Sequence, residues 1–431
     1  MEKHFELVPW AVNTNVYEVN IRQYTKEGTF EAFEKHIDRL ANMGVAVLWF
    51  MPITPISTLN RKGSLGSYYA CSSYTNINPE FGDLKSFKTL VNSAHQKGLK
   101  VIIDWVANHT GLDHEWTKIH PDFYKLNHEG KFYDAHGWDD VIDLDYANQK
   151  LRVEMIRSMK YWITETDIDG FRCDMAMLTP VDFWHQARES IEPLKKLFWL
   201  AELDPLDNSD YMQVFDSAYT WRWMNTAKQC KDEGARHIHT LKEVLFQYHS
   251  ILPKQTMPSW FTSNHDENSW NGTEYEKYGE MSLPLAVFSC TWQGLPLLYS
   301  GQEIPNHKRL AFFDKDAINW DKSIALESFY SKLLNLRKKN KAFNNTFLAE
   351  NISEINNSVD HHVLSFKRKS GEDLVFIFIN FSQYDLEAVK FFTDYETGSY
   401  EEVFTKERKS FGTQFFETDL KGWGYHIWVK Q

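Results

Sequence analysis

Apolar and polar positions alternate along most of the chain in a repeating order of strand and then helix. Val45–Phe50 is a continuous apolar run, which is typical of a strand buried on both faces, and Leu99–Asp104 is predicted as a second buried strand. Phe30–Met43 has apolar residues at helical spacing, and the helical stretch Leu84–Lys97 stops at Gly98, a residue type that often ends helices. The same pattern predicts further strands at Val16–Ile21, Asp169–Asp174, Phe198–Glu202, Ser259–Asn264 and Leu295–Tyr299, and further helices at Val153–Ile163 and Val181–Ile191. Repeated βα units of this kind favour an α/β fold in which a parallel sheet closes into a TIM (β/α)8 barrel.

Two regions break this order. The first, about residues 109–145, has no regular periodicity and is too long for an ordinary βα loop, so we expect a short insertion after the third strand. The second begins beyond Thr346, where alternating strands are predicted at His362–Lys367, Leu374–Asn380 and Gly424–Val429. We therefore predict a barrel over residues 1–345, carrying the insertion 109–145, and a C-terminal antiparallel β-sandwich domain over residues 346–431.

Length and charge narrow the possibilities. The chain has 431 residues, more than the roughly 250–300 that a single core usually reaches, which agrees with two domains. Its formal net charge of −12 argues against a nucleic-acid partner, because phosphate-binding surfaces need clustered Lys and Arg. The uncharged stretch Met281–Gln302 contains Pro284 and Pro296, so we expect a buried helix and a buried strand there and no membrane span. The opening residues Met1 to His4 carry no apolar segment of the kind found in signal peptides, which favours a cytoplasmic location.

Cysteine and aromatic content say less about the fold and the function. Four scattered cysteines form no CxxC pair, so we expect buried thiols and neither a disulfide framework nor a zinc site. Aromatic residues make up 15% of the chain, and composition alone does not separate core packing from stacking against a flat ligand.

Polar runs stand at the carboxyl ends of four predicted strands, which is where (β/α)8 enzymes place their catalytic groups. They are Asp104-Trp-Val-Ala-Asn108-His109, Gly170-Phe-Arg172-Cys-Asp174, Trp199-Leu-Ala-Glu202 and Phe261-Thr-Ser-Asn264-His265-Asp266. Each run is a weak signal alone, whereas their order at the ends of successive strands is specific.

With these four runs the chain resembles the α-amylase family, (β/α)8 glycoside hydrolases that act on α-glucosidic bonds. The resemblance extends to Asn78–Gly82, Val141–Asp145 and Gly294–Glu303. It implies that Asp174 is the nucleophile, Glu202 the general acid/base and Asp266 the transition-state stabiliser. It further implies substrate-binding roles for a second group of residues, namely Tyr69, His109, Arg172, Asn264 and His265.

The residue types suit that chemistry. Cleavage with retention uses two carboxyl groups about 5–5.5 Å apart, one ionised and one protonated. Arg172 lies two residues before Asp174, so both side chains point to one face of the strand, and we expect the guanidinium to keep Asp174 ionised. Glu202 has fewer cations near it in sequence, and we expect it to carry the raised pKa of an acid. The structural alternatives are an ordinary Arg172–Asp174 ion pair, and an Asp104 that anchors the barrel.

Some positions depart from the family pattern. Met177 and Leu178 replace a usual Lys-His pair, so recognition of the leaving group must differ, and Ser73 replaces a usual Asp. Asn108 and Asp143 match part of the family's calcium ligands, and oxygen ligands suit calcium. Because the rest of the pattern is missing, we expect no cofactor and no metal ligand, with a structural calcium ion as the less favoured alternative.

The first hypothesis on function is a retaining α-glucan hydrolase that cleaves α-1,4 bonds in malto-oligosaccharides or starch through a covalent glucosyl-enzyme intermediate. The second is a glucanotransferase that passes the same intermediate to another sugar. The third is a non-catalytic glucan-binding protein. The expected partner is an α-glucan or malto-oligosaccharide, with no nucleic acid and no membrane, and the oligomeric state is left open. Tyr69, and with it Trp105, Trp138 and Trp270, are expected to face sugar, while most other rings form core.

Overall fold

A computed structural model describes residues 5–233, 238–320, 324–346 and 350–431, so the opening segment Met1 to His4 lies outside the described residues. The strands are β1 (Val16–Val19), β2 (Val47–Phe50), β3 (Lys100–Trp105), β4 (His109–Gly111), β5 (Val141–Asp143), β6 (Gly170–Cys173), β7 (Phe198–Ala201), β8 (Ser217–Tyr219), β9 (Met257–Trp260), β10 (Leu295–Tyr299), β11 (Ile352–Glu354), β12 (Val363–Ser370), β13 (Asp373–Asn380), β14 (Leu386–Phe391), β15 (Gly398–Glu402), β16 (Arg408–Phe411), β17 (Phe416–Leu420) and β18 (Tyr425–Lys430). The helices are α1 (Ile21–Tyr24), α2 (Phe30–Glu34), α3 (Ile37–Met43), α4 (Leu84–Gln96), α5 (Trp116–Ile119), α6 (Gln149–Thr166), α7 (Val181–Ile191), α8 (Trp221–Glu233), α9 (Ile238–Ile251), α10 (Glu274–Tyr278), α11 (Ser282–Thr291) and α12 (Glu327–Lys339).

Eight of these strands form the predicted closed barrel. They are parallel and run in the order β1-β2-β3-β6-β7-β8-β9-β10, with β10 pairing back onto β1. Their residues are buried on both faces because helices cover the outside and side chains fill the inside. The sequence pattern missed β8, whose three residues Ser217–Tyr219 are too few and too polar to stand out.

The insertion is small and contains its own short sheet. Strands β4 and β5 pair antiparallel, with His109 opposite Asp143. The insertion thus leaves the barrel after β3 and returns directly to α6, which leads into the fourth barrel strand, β6. It therefore rises from the carboxyl ends of the strands, where the site described below lies.

The C-terminal region is an antiparallel β-sandwich, as predicted. One sheet has the order β11-β12-β13-β18-β15-β16, and the second pairs β14 with β17. The two sheets meet through stacked rings, with Phe378 and Phe391 3.7 Å apart between centroids and Phe411 and Phe416 3.9 Å apart. These contacts make a core of their own, separate from the barrel core.

Two further predictions about buried segments are confirmed. The uncharged stretch Met281–Gln302 contains helix α11 and strand β10, both buried. All four cysteines are buried as well. Across the residues described, no helix combines the length and the apolar character needed to cross a membrane.

Candidate active site

The catalytic candidates are brought together by the carboxyl ends of the barrel strands. Asp174 and Glu202 each follow directly on the last residue of a strand, β6 and β7 respectively, and these two strands pair with each other. Asp104 lies within β3 and is the register partner of Arg172 on β6, so both side chains project to the same face of the sheet. The barrel thus places four ionisable groups, far apart in sequence, around one point.

Arg172 is the centre of this group and is fully buried. Its Nη1 lies 2.9 Å from Asp104 Oδ1 and 3.0 Å from Asp174 Oδ1, and its Nη2 lies 2.7 Å from Glu202 Oε2. Trp49 and Tyr69 donate hydrogen bonds to the other oxygen of Asp104, both at 3.2 Å. One guanidinium therefore holds Asp174 and Glu202 side by side while its own position is locked from behind by Asp104.

The backbone beyond Asp174 is bent to complete the contact. Met175 has φ 37° and ψ 49°, a left-handed conformation that is unfavourable for a side chain of this kind. In this conformation the Met175 N–H donates a hydrogen bond to Glu202 Oε2 at 2.9 Å. The strained turn thus anchors the carboxyl group of Glu202 beside Asp174.

The carboxyl groups of Asp174 and Glu202 differ in pKa, and in both the pKa is raised by burial. Burial raises the pKa of Glu202 to about 8, and the Arg172 charge only partly opposes it. Burial also raises the pKa of Asp174, to about 6, against the opposing charge of Arg172 and a hydrogen bond from Glu202. Near pH 7 the site therefore favours an ionised Asp174 beside a protonated Glu202.

These values correct one expectation. Arg172 opposes the rise in the pKa of Asp174, although desolvation outweighs the ion pair. Glu202 has few cations near it in sequence, yet in the fold it contacts the same guanidinium, and its raised pKa comes from burial.

The third carboxyl group, Asp266, has a different environment. It follows β9 by six residues, and its Oδ2 lies 3.2 Å from His265 Nε2. Burial pushes the pKa of Asp266 upward, but the His265 charge and hydrogen bond outweigh it, so the pKa lies below its ordinary value. Asp266 therefore stays ionised where Glu202 is protonated.

A cavity of about 440 Å³ opens above these groups. Asp174, Glu202 and Asp266 all line it, together with Tyr69, His109 and Trp138. At its rim Trp270, about half exposed, packs at an angle on Phe312 and Phe313. Aromatic faces beside buried carboxyl groups form a pocket suited to the apolar faces and hydroxyl groups of a sugar.

The sequence and structure comparisons agree with this arrangement. Residues 13–133 and 121–342 match the family described as "Alpha amylase, catalytic domain", and residues 355–430 match "Alpha amylase, C-terminal all-beta domain". The chain belongs to the α-amylase family. The barrel, the insertion and the four strand-end runs are thus those of an α-amylase family member.

Individual relatives are about a quarter identical to this chain over the aligned residues. The crystal structure of a noncanonic maltogenic α-amylase, AmyB from Thermotoga neapolitana, superposes with a TM-score of 0.86 at 28% identity, covering 98% of this chain and 99% of the other. Alpha-amylase 3 of Dictyoglomus thermophilum is 25% identical over 339 residues, 69% of this chain and 65% of the relative. A 4-α-glucanotransferase of Thermotoga neapolitana is 25% identical over 352 residues, 70% of this chain and 73% of the relative. The chain spans only 56% to 65% of the length of the first four curated relatives.

Of the remaining predicted residues, some line the cavity and others lie beneath it. Tyr69 and His109 line it. Arg172 and His265 lie below, where they hold the carboxyl groups. Asn264 is buried, and its Oδ1 accepts a hydrogen bond from the Glu267 N–H at 2.8 Å, which makes it the cap of the following turn.

The aromatic expectations need one correction. Trp138 and Trp270 line the cavity. Trp105 does not, because the inward and outward sides of β3 alternate and its ring packs against Tyr74 and Phe171, fully buried. The expectation that Trp105 faces sugar was wrong.

Sequence reasoning also overlooked residues of the site. Phe312 and Phe313 come from the connection between β10 and α12, which has no periodic signal. Glu18 stands in the buried strand β1 and reaches His265, with Glu18 Oε1 2.5 Å from His265 Nδ1. A single charged residue in the apolar run Val-Tyr-Glu-Val was a signal that could have found it.

The calcium position implied by the family does not fit a divalent cation. Asp143 is fully buried, and its Oδ2 already lies 3.2 Å from the ammonium group of Lys125 and accepts a hydrogen bond from the Ala135 N–H at 3.4 Å. The amide of Asn108 points its Nδ2 at Asp143 Oδ1, 3.5 Å away. Calcium needs six to eight oxygen ligands, whereas here one carboxylate faces a lysine and two N–H groups. Within the described ranges no cluster of three or more His, Cys, Asp and Glu side chains could hold a metal ion.

Proposed function

We propose that the chain is a retaining α-glucan hydrolase that cleaves α-1,4-glucosidic bonds in malto-oligosaccharides and starch fragments. The observation that carries the proposal is the single guanidinium that binds Asp174 and Glu202 together while burial leaves their pKa values at about 6 and about 8. Retaining glycosidases need such a pair, one carboxylate to attack and one carboxylic acid to protonate the leaving group. The α-glucan substrate is inferred from the family.

In the first half of the proposed reaction, Glu202 donates its proton to the glycosidic oxygen and that oxygen leaves with the aglycone sugar. A carboxylate oxygen of Asp174 attacks the anomeric carbon, and a glucosyl ester forms on Asp174. Asp266, ionised beside His265, stabilises the positive charge that develops on the sugar ring in the transition state.

In the second half, Glu202 acts as the base. It takes a proton from water, whose oxygen attacks the anomeric carbon and releases the sugar from Asp174. Two inversions at the same carbon give net retention. Both proton transfers and the nucleophilic attack are supplied by side chains of this chain.

Two measurements test this proposal. Proton NMR of maltoheptaose cleavage should show the α-anomer of the new reducing end first, before mutarotation. The Glu202→Gln variant, given an α-maltosyl fluoride whose leaving group needs no acid, should accumulate a protein species heavier by one maltosyl group in intact-mass spectra. A β-anomer as first product would contradict retention, and an unmodified protein after turnover of the fluoride would contradict the covalent intermediate.

A second candidate is a glucanotransferase, supported by the similarity to the 4-α-glucanotransferase of Thermotoga neapolitana. It uses the same first half, and the hydroxyl group of a second sugar replaces water in the second half. Chromatography of products from maltotriose separates the two. Early appearance of oligomers longer than maltotriose favours transfer, whereas glucose and maltose alone favour hydrolysis.

A further inference from the structure

Glu18 is a buried carboxylate that the proposed reaction does not use. It lies in β1 and has no exposed surface. Its Oε1 lies 2.5 Å from His265 Nδ1 and accepts a longer bond, 3.3 Å, from the His265 backbone N–H. Its Oε2 has no hydrogen-bond partner within the part of the chain that the structure describes. A carboxylate removed from water on this scale is costly unless a positive charge faces it.

The other nitrogen of His265 points into the active site. His265 Nε2 lies 2.7 Å from the Tyr69 hydroxyl and 3.2 Å from Asp266 Oδ2. The Tyr69 ring also stacks on the imidazole, with 5.5 Å between centroids. The imidazole therefore lies between Glu18 on one side and two cavity residues on the other.

The surroundings decide the protonation state of this imidazole. A histidine with a carboxylate at each nitrogen donates from both, which only the imidazolium form can do. Burial alone would lower the pKa of His265, but the charges of Asp266 and Glu18 raise it well above its ordinary value. The titratable and charged groups that face His265 come from several elements and are Glu18, Tyr69, Asp104, Arg172 and Asp266.

We propose that Glu18 is a positioning residue that holds His265 as an imidazolium aimed at Tyr69 and Asp266, and so keeps the carboxylate of Asp266 ionised and the Tyr69 ring in place. This inference rests on the proposed function. Glu18 itself touches no substrate, since it lies beneath His265 and does not line the cavity.

The structure offers a matched control in a second buried carboxylate close to β1. Glu303 follows β10 and is also fully buried, with its Oε1 2.6 Å from the Tyr17 hydroxyl and 2.9 Å from Arg39 Nη2. Tyr17 and Glu18 are neighbours on β1 and point to opposite faces. Glu303→Gln therefore removes a buried carboxylate charge near β1 without touching His265.

The main test compares Glu18→Gln, Glu18→Asp and Glu303→Gln with the wild type in the pH dependence of kcat/KM on a chromogenic maltoside. In Glu18→Gln, His265 loses a compensating charge and becomes neutral at a lower pH. We expect the alkaline limb to move to lower pH by about one unit or more, with kcat about tenfold lower at pH 7.5 and close to wild type near pH 5.5. Glu18→Asp, which keeps the charge, should recover part of the shift. Glu303→Gln should lower the melting temperature and leave both limbs in place.

A direct measurement covers the case in which Glu18→Gln does not fold. The ¹⁵N shifts of His265 in the wild-type protein, assigned with a His265→Asn variant, should be those of an imidazolium at pH 7. A neutral His265, or a Glu18→Gln enzyme with unshifted pH limbs, would overturn the inference. A wild-type protein without activity on α-glucans would instead overturn the proposed function, and the NMR result would still report on Glu18.

Discussion

Two buried arginine sites in this molecule have opposite surroundings. Arg172, under the cavity, faces three carboxyl groups, and the charges of Asp104 and Glu202 more than offset burial and raise its pKa well above the ordinary value. Arg337 on α12 instead donates hydrogen bonds to backbone carbonyls, which include Cys290 O at 2.8 Å and Trp292 O at 3.3 Å. Burial lowers the pKa of Arg337 to about 10.

Arg368 on β12 extends the second site across the boundary between barrel and sandwich. Its guanidinium donates to Thr291 O at 3.0 Å and Asn344 O at 2.6 Å, and burial, together with the Arg337 charge, lowers its pKa well below the ordinary value. Both sites are hydrogen-bonded and packed. The difference is that carbonyl partners carry no proton to give or take, so the second site joins chain segments, whereas carboxyl partners give the first site its acid–base chemistry.

The substitution with the largest expected effect is Asp174→Asn, at the Arg172 site. The amide cannot attack the anomeric carbon, so we expect kcat on maltoheptaose to fall by about 10⁴-fold or more. The melting temperature should stay within a few degrees, because a buried charge is replaced by a neutral group of the same size. Activity within tenfold of wild type would contradict the role of Asp174.

The converse substitution is Arg337→Met, which should lower the stability of the fold and leave kcat unchanged. It strips several buried carbonyls of their donor, and we expect the free energy of unfolding to fall by about 3 kcal/mol. Urea denaturation measures this loss, and kcat of the folded fraction should match wild type. Lys338→Met, the exposed neighbour on the same helix, is the control and should change neither quantity. A fall in kcat at unchanged stability would contradict the structural role of Arg337 and its difference from Arg172.

An intermediate case is Asp143, a buried carboxylate whose cation, Lys125, is partly exposed. Lys125→Met should lower the free energy of unfolding by about 1–2 kcal/mol, because Asp143 is left unpaired. EDTA or millimolar calcium should leave the wild-type melting temperature unchanged. Lys131→Met, which removes an exposed lysine paired with the exposed Glu129, is the control. Loss of wild-type stability in EDTA would show that a divalent cation, and not Lys125, compensates the negative charge of Asp143.

The smallest effect is expected for Asp104→Asn, which changes the charge around Arg172. The negative charge of Asp104 helps to raise the pKa of Asp174. In Asp104→Asn this contribution is lost, Asp174 ionises at lower pH, and the acid limb of kcat/KM should move down by less than about one unit. Asp216→Asn, which removes a buried carboxylate paired with Arg188 at the start of β8, should leave that limb where it is. An acid limb that moves upward would contradict the electrostatic model of the site.

Much of this architecture is predictable because it rests on local pattern. Alternating apolar runs and amphipathic stretches indicated seven of the eight barrel strands, and the run Val181–Ile191 matches its helix residue for residue. The strand-end motifs led to Asp174, Glu202 and Asp266, which the fold brings to one cavity, while their catalytic roles stay a prediction. The predicted domain boundary near residue 345 also stays a prediction.

Two expectations failed, namely the reason given for the raised pKa of Glu202 and the placement of Trp105. The acidity of Glu202 was ascribed to distance from cations, yet Arg172, thirty positions earlier, contacts it because β6 and β7 are paired. Trp105 was expected to lie on a loop near the end of a strand motif and to face sugar, but it is the last residue of β3 and its side chain is buried on the face opposite that of Asp104. The substrate-binding role expected for Asn264 stays a prediction, and in the fold its Oδ1 accepts a hydrogen bond from the Glu267 N–H.

The alternation of strands and helices can be predicted from side-chain periodicity, which is local, and the order of the polar runs and their residue types can be read directly from the chain. Which charges meet depends on the fold: Glu18 with His265, Lys125 with Asp143, and one Arg172 with three carboxyl groups. The ionisation of a buried group depends on desolvation and on charges within a few ångströms, and the fold brings together groups that are separated in sequence, as Glu18 and His265 are by 247 positions.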